Sequence, residues 1–289
     1  MSAAADPYTT LIDPDQLAPH LDDPQWLVVD CRFDLARPEA GAQSYREGHI
    51  PGAIHAHLDN DLSGPRAPAL GRHPLPDPER LAATFGRWGI EPGVQVVAYD
   101  GAAGMLAARL WWLLRWLGHD AVAVLDGGLR AWRESERPLE TRTVARTARR
   151  FVAAPRREAW ADTAEVRLRS VDPDWRVLDA RAAPRYAGEV EPIDPVAGHV
   201  PGAHNYPYER SVADTDRLCS RSQLDARLRQ ALGPVPPERT ILMCGSGVTA
   251  CHVLLAMAAC GLDGARLYPG SWSEWIRDPT RPVATGHEP

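Results

Sequence analysis

The chain has 289 residues and no lysine; all 32 of its basic residues are arginine. That absence removes Schiff-base nucleophiles and the lysine anchor of pyridoxal phosphate. It also removes a Walker-type loop, whose lysine reaches the phosphates. Cysteine is scarce. The five are Cys31, Cys219, Cys244, Cys251 and Cys260, and the closest spacings are C-x6-C and C-x8-C. An odd count with those gaps points to neither a disulfide framework nor a zinc site, so no metal is expected. Unpaired thiols fit a reduced, cytosolic setting. No apolar run is long enough to span a bilayer, so no membrane is expected. The opening MSAAADPYTT lacks a basic start and an apolar core, so no secretory signal is expected. A net charge of -6 leaves no footprint for nucleic acid. The 44% apolar content and the length suit two ordinary domains.

What is present is a repeat. WLVVDCR (26–32) pairs with WRVLDAR (175–181), and GHIPGA (48–53) with GHVPGA (198–203). VQVVAYDG (94–101) pairs with RTILMCGS (239–246), and LDGGLRAW (125–132) with YPGSWSEW (268–275). Four blocks in the same order indicate duplication into two similar domains rather than a solenoid. VVD, VLD, VQVVAY and TILM read as buried strands. MLAARLWWLLRWLG and HVLLAMAACG carry helical patterns that stop at Gly118 and Gly261. Alternation of this kind predicts an α/β fold with a mainly parallel sheet flanked by helices in each half. The expected division is residues 1–140, a linker over 141–160, and 161–289. The arginine-rich linker reads as a solvated crossing. Two proline-rich stretches, 64–78 and 188–207, read as long ordered loops of the kind that often carry function. In such sheets sites form at the carboxyl ends of strands.

The candidate site is ILMCGSGVTACHVLL at 241–255. Cys244 closes a strand, Gly245, Ser246 and Gly247 turn the chain, and a helix is expected from Val248 or Thr249 to about Cys260. A glycine turn into a helix start points backbone N–H groups inward and adds partial positive charge. Both favour the thiolate of a cysteine placed there. The Thr249 hydroxyl can donate to the same sulfur, and the glycines permit close backbone approach. A free cysteine is often a buried apolar residue, and Cys31, Cys251 and Cys260 read that way. Cys219, in LCSRSQL, is expected to be exposed and oxidisable. His49 and His199 occupy the paired GH-x-PGA turns and read as structural, as does His252. The first half places Asp100 where the second has Cys244, so one half is expected to be catalytic. A phosphatase loop needs arginine six residues after its cysteine; Ala250 stands there. A cysteine protease needs a histidine base, which the ten histidines leave open.

The two-copy layout, the GHIPGA and GHVPGA motifs, and CGSGVTA with YPGSWSEW resemble two-domain rhodanese-type sulfurtransferases. The loop is most similar to that of the 3-mercaptopyruvate branch, and the resemblance spans about residues 8 to 280. It implies an inactive first rhodanese domain and a second in which Cys244 becomes a persulfide. The sulfur then passes to cyanide, a small thiol or thioredoxin, with no cofactor. The backbone amides from Gly245 to Thr249, Val248 included, are expected to stabilise the anion. Ser246 is expected to relay a proton. Thiosulfate-preferring members carry a basic residue after the cysteine; Gly245 and Ser246 favour mercaptopyruvate. Arg185 matches one of the family's two donor-binding arginines, whereas Arg181 reads as structural. Asp194 stands near the place of the second, a departure from the pattern; Arg72 and His73 are candidates to face the donor instead. The alternatives are a thiosulfate:cyanide sulfurtransferase and a persulfide carrier with little turnover. The chain is expected to be monomeric.

Overall fold

Short β-branched runs ending in an acid form the central strands, because both faces of a parallel sheet must be covered. A computed structural model of the chain describes residues 6–289; the first five residues of the N-terminal stretch read above lie outside it. The first half contains β1 (Leu11–Ile12), α1 (Pro14–Leu17), β2 (Trp26–Asp30), α2 (Ala40–Glu47), β3 (Ile54–His55), α3 (Pro78–Arg87), β4 (Gln95–Tyr99), α4 (Ala107–Trp116), β5 (Val122–Leu125) and α5 (Gly128–Glu134). The second contains α6 (Thr163–Arg169), β6 (Arg176–Asp179), α7 (Ala183–Tyr186), β7 (His204–Asn205), α8 (Arg221–Leu232), β8 (Thr240–Met243), α9 (Thr249–Ala259), β9 (Arg266–Leu267) and α10 (Ser271–Trp275).

All pairings in both sheets are parallel, in the orders β1-β5-β4-β2-β3 and β7-β6-β8-β9. The second sheet repeats the first, with the edge strand reduced to one bridge between Trp160 and Leu267. The chain leaves the central pair β6 and β8 in opposite directions across the sheet, so a crevice opens beyond their carboxyl ends. The ladder also fixes the repeat. Asp30 pairs with Tyr99 and Asp179 with Met243, which makes Asp100 the counterpart of Cys244. End-to-end pairing of the sequence blocks is out by one residue there.

Each sheet is anchored by the same device. Arg32 forks onto Asp30 and donates to the Gly48 carbonyl at 2.8 Å; Arg181 forks onto Asp179 and donates to the Gly198 carbonyl at 2.7 Å. His49 stacks on Tyr45 and His199 on Tyr186, with ring centroids 3.9 and 3.8 Å apart. The two tyrosine hydroxyls donate to the carbonyls of Ala53 and Ala203. The GH-x-PGA turns are therefore framework in both copies. Trp132 and Trp275 fill equivalent core positions, each donating its indole N–H to a proline carbonyl.

The chain divides differently from the linear split read in the sequence. Among the described residues, one unit comprises 6–62 and 77–156; the other comprises 63–76 and 157–289. The stretch 141–156 runs along the first unit, tied by Arg149 N–H to the Gly86 carbonyl and by Ala154 and Arg156 N–H to the carbonyls of Leu117 and Trp116. Segment 63–76, by contrast, belongs with the second unit. A Cβ on Gly71 would lie 2.5 Å from the Gly270 carbonyl oxygen, a closeness only glycine permits.

Burial holds His55, His119, His199 and His204 below the ordinary imidazole value of 6.5. The unfolded chain takes up these protons as pH falls through about 6.5, before the folded chain does, so stability is full above that value and is lost below it. The thermal midpoint is expected to drop between about pH 7.5 and about pH 5.5. His119→Gln, which can keep the hydrogen bond to the Val94 carbonyl, should flatten that slope. An unchanged slope would remove His119 as a contributor.

Candidate active site

Cys244 lies one residue past β8 and is buried. Its N–H donates to the Ser271 hydroxyl at 3.0 Å, which in turn donates to the Tyr268 carbonyl at 2.8 Å. Its carbonyl accepts from Trp272 N–H, and the Gly245 carbonyl from Ser273 N–H, both at 2.9 Å. The turn is thus clamped to the start of α10. Gly247 has φ +72°, and a Cβ there would lie 2.5 Å from the Pro269 carbonyl oxygen, so only glycine fits. Val248 is the N-cap of α9 and Thr249 its first residue, and no side chain caps that helix. The positive end of the helix dipole therefore stands near Cys244.

The first unit shows what such a turn holds. Asp100 occupies the equivalent position, with Leu129 N–H and Arg130 N–H bonded to the carbonyls of Asp100 and Gly101 as in the second copy. The Asp100 carboxylate accepts from the N–H groups of Ala102, Gly104, Leu106 and Ala107 at 2.7–3.3 Å. A turn of this kind is an anion cradle. In the second copy a sulfur stands where the carboxylate stands in the first, on a loop two residues shorter before the helix. Backbone N–H groups of such a turn can meet an anion.

Three separate stretches bring charge to this turn. His73 Nδ1 lies 2.8 Å from the Ser246 hydroxyl. Arg72 bonds Asp194 at 2.7 Å, and its N–H donates to the Ser273 hydroxyl. Arg185 is hydrogen-bonded to Glu191 at 2.6 Å and to Asp194 at 3.3 Å. Both guanidinium groups converge on Gly245: a Cβ there would stand 3.2 Å from Arg72 Nη2 and 3.7 Å from both terminal nitrogens of Arg185. Burial by itself would raise the Glu191 carboxyl, but Arg185 and the N–H groups of Asp194 and Ile193 hold it below its usual range. Burial also opposes the Arg181 cation; Asp179, then Glu191 and Cys244, outweigh it and raise its value.

Cys219 differs from expectation. It is buried, not exposed, because the Val212–Leu218 bridge folds it onto α8, where Arg227 lies 3.1 Å from its sulfur. Sequence reasoning also missed Ser271 and Glu191. Ser271 had a signal: it aligns with Gly128 in LDGGLRAW, and both adopt left-handed backbone, at φ +52° and +54°. A serine kept where glycine is comfortable is strained and signals a task for its hydroxyl.

The rhodanese-like domain family matches residues 13–135 and again 162–278. The chain therefore belongs to the rhodanese-like family, in a tandem form. It is 47% identical over 278 residues to a probable 3-mercaptopyruvate sulfurtransferase of Pseudomonas aeruginosa, covering 96% of this chain and 98% of the relative. It is 40% identical to a putative thiosulfate sulfurtransferase of Mycobacterium tuberculosis, over 90% of each. The crystal structure of the Escherichia coli 3-mercaptopyruvate enzyme superposes with a TM-score of 0.80 at 35% identity, covering 92% of this chain and all of that one.

Ser271→Ala keeps the strained backbone and leaves the buried Cys244 N–H without its acceptor, so a loss of about 2 kcal/mol is expected. Ser271→Gly loses the same bond but relieves strain worth about 1 kcal/mol. Denaturant unfolding should rank wild type above the glycine variant and the glycine above the alanine variant. An alanine variant as stable as wild type would remove Ser271 as the clamp.

Proposed function

We propose that this sulfurtransferase draws sulfur from 3-mercaptopyruvate through a persulfide on Cys244. The observation that carries the reading is the anion cradle filled by a carboxylate in the first unit, with Cys244 at the equivalent position in the second. The Cys244 thiolate attacks the donor sulfur. An S–S bond forms, the C–S bond breaks, and its electron pair passes to the carbon as pyruvate enolate. The sulfur-borne proton must reach that carbon to give pyruvate. Ser246 and His73, hydrogen-bonded to each other, supply a relay for it. The terminal sulfur then leaves with an acceptor nucleophile and restores the thiolate, a two-stage covalent cycle. Gly245, Gly247, Val248 and Thr249 supply the backbone of the cradle, and Arg72 and Arg185 meet the donor's carboxylate. The first unit, with Asp100 in place of a thiol, is non-catalytic in this reading. A small thiol or thioredoxin in a reduced cytoplasm is the proposed acceptor, and a monomer suffices for the chemistry. Among the described residues no helix is long and apolar enough to cross a membrane.

The Mycobacterium tuberculosis relative's name favours thiosulfate as a second donor. Steady-state turnover with each donor, cyanide as acceptor, separates the two readings. Mercaptopyruvate is expected to exceed thiosulfate, and Cys244→Ser to abolish both. Ser246→Ala and His73→Ala are expected to lower kcat for mercaptopyruvate by about 10²-fold or more. Thiosulfate carries no proton to relay, so its kcat should fall much less. Equal losses for both donors would sink the relay, and a Cys244→Ser variant with wild-type turnover would sink the whole reading.

A further inference from the structure

The carboxylate of Asp194 sits between Arg72 and Arg185, 2.7 Å from one and 3.3 Å from the other. It is almost wholly buried, at 4% exposure, as is Glu191 on the far side of Arg185. Two arginines alone would present a doubly positive surface beside the Cys244 turn. With both carboxylates in place the four side chains sum to zero. The arginines nonetheless keep donors to offer. Arg72 Nε is buried without a hydrogen-bond partner, and both guanidinium groups stand within 3.2–3.7 Å of where a Cβ on Gly245 would sit. A site that is neutral overall but rich in N–H donors binds an anion by hydrogen bonds rather than by bulk charge. Each resident negative charge repels a dianion twice as strongly as a monoanion at the same distance.

We propose that Asp194 is a donor-selecting residue. By bridging Arg72 and Arg185 it holds two guanidinium groups from separate chain segments over the Cys244 turn and cancels one of their charges. The site thereby takes sulfur donors bearing one negative charge, such as an α-keto thiol acid, and rejects dianions such as thiosulfate. This rests on the sulfurtransferase reading and adds a reason for its choice of donor. Burial strengthens the effect, since exposed charges would be screened.

The test is the ratio of kcat/KM for thiosulfate to that for 3-mercaptopyruvate, with cyanide as acceptor, at low and high salt. Asp194→Asn keeps the shape and one acceptor oxygen but removes the charge. The ratio is expected to rise about tenfold or more, chiefly through the KM for thiosulfate, and to keep most of that rise at high salt because the buried charge is little screened. Arg72→Gln removes a positive charge and should move the ratio the other way. If Asp194→Asn does not fold, Arg72→Gln decides alone. An unchanged ratio in the folded variants, or equal losses for both donors, makes Asp194 a structural tie only and overturns the proposal. Wild-type turnover that is lost in Cys244→Ser, with a ratio indifferent to Asp194, overturns this inference and leaves the sulfurtransferase reading standing. If neither donor leaves a persulfide on wild-type Cys244, both fall together.

Discussion

A short turn that aims several backbone N–H groups at one point is stable only if something negative or strongly accepting sits there. Buried N–H groups without partners cost more than most side-chain contacts return. The two units meet this constraint in opposite ways. Asp100 satisfies the first turn permanently, with four N–H groups on its carboxylate. The second turn carries Cys244 at the equivalent position, the sulfur proposed above to take up another atom. A cradle that is satisfied best by an anion favours each anionic state of a covalent cycle. In the proposed cycle, chemistry follows from replacing a carboxylate by a sulfur on an otherwise repeated frame.

Holding such a turn requires rigidity behind it. The clamp comes from α10 rather than from the loop itself. N–H groups of Trp272 and Ser273 take the carbonyls of Cys244 and Gly245, and Ser271 takes the Cys244 N–H. Only the last of these bonds is new relative to the first unit. It comes at the expense of a left-handed serine where the first unit has glycine. Strain confined to one residue touching Cys244 is the pattern expected at a functional site.

Much of this was legible in the sequence, for physical reasons. Strand runs, helix stops and the paired GH-x-PGA blocks are local patterns, and the frame they encode is local too. The Asp–Arg fork and the Tyr–His stack recur within one strand–loop–helix step in each copy. Cys244 was legible because glycine on both sides of a serine after a strand marks a tight turn that only glycine-rich backbone makes easily. What was not legible depended on contacts between distant segments. Arg72 meets Asp194 across 122 positions, and His73 meets Ser246 across 173. Sequence reading could mark 64–78 and 188–207 as functional loops but could not pair their charges. Nor could it see that segment 63–76 leaves its own half to pack with the other. Cys219 was misread for the same reason: its polar neighbours in sequence are not its neighbours in space.

Asp194 shows why pairing matters more than residue type. Read alone, an acid near the expected place of a donor-binding arginine looks like a lost function. Read with Arg72, it is half of an exchange: the cation arrives from segment 63–76, and the acid occupies the vacated place and holds that cation. Coulomb attraction between buried partners is strong enough to orient a flexible arginine, and the planar guanidinium converts that attraction into direction. Glu191 does the same for Arg185. In the proposed reading, anion recognition rests on hydrogen-bond donors while the net charge is lowered. A site can lack one cation and keep its ligand, provided the N–H groups of another reach the same point and the charge they carry suits the ligand's own.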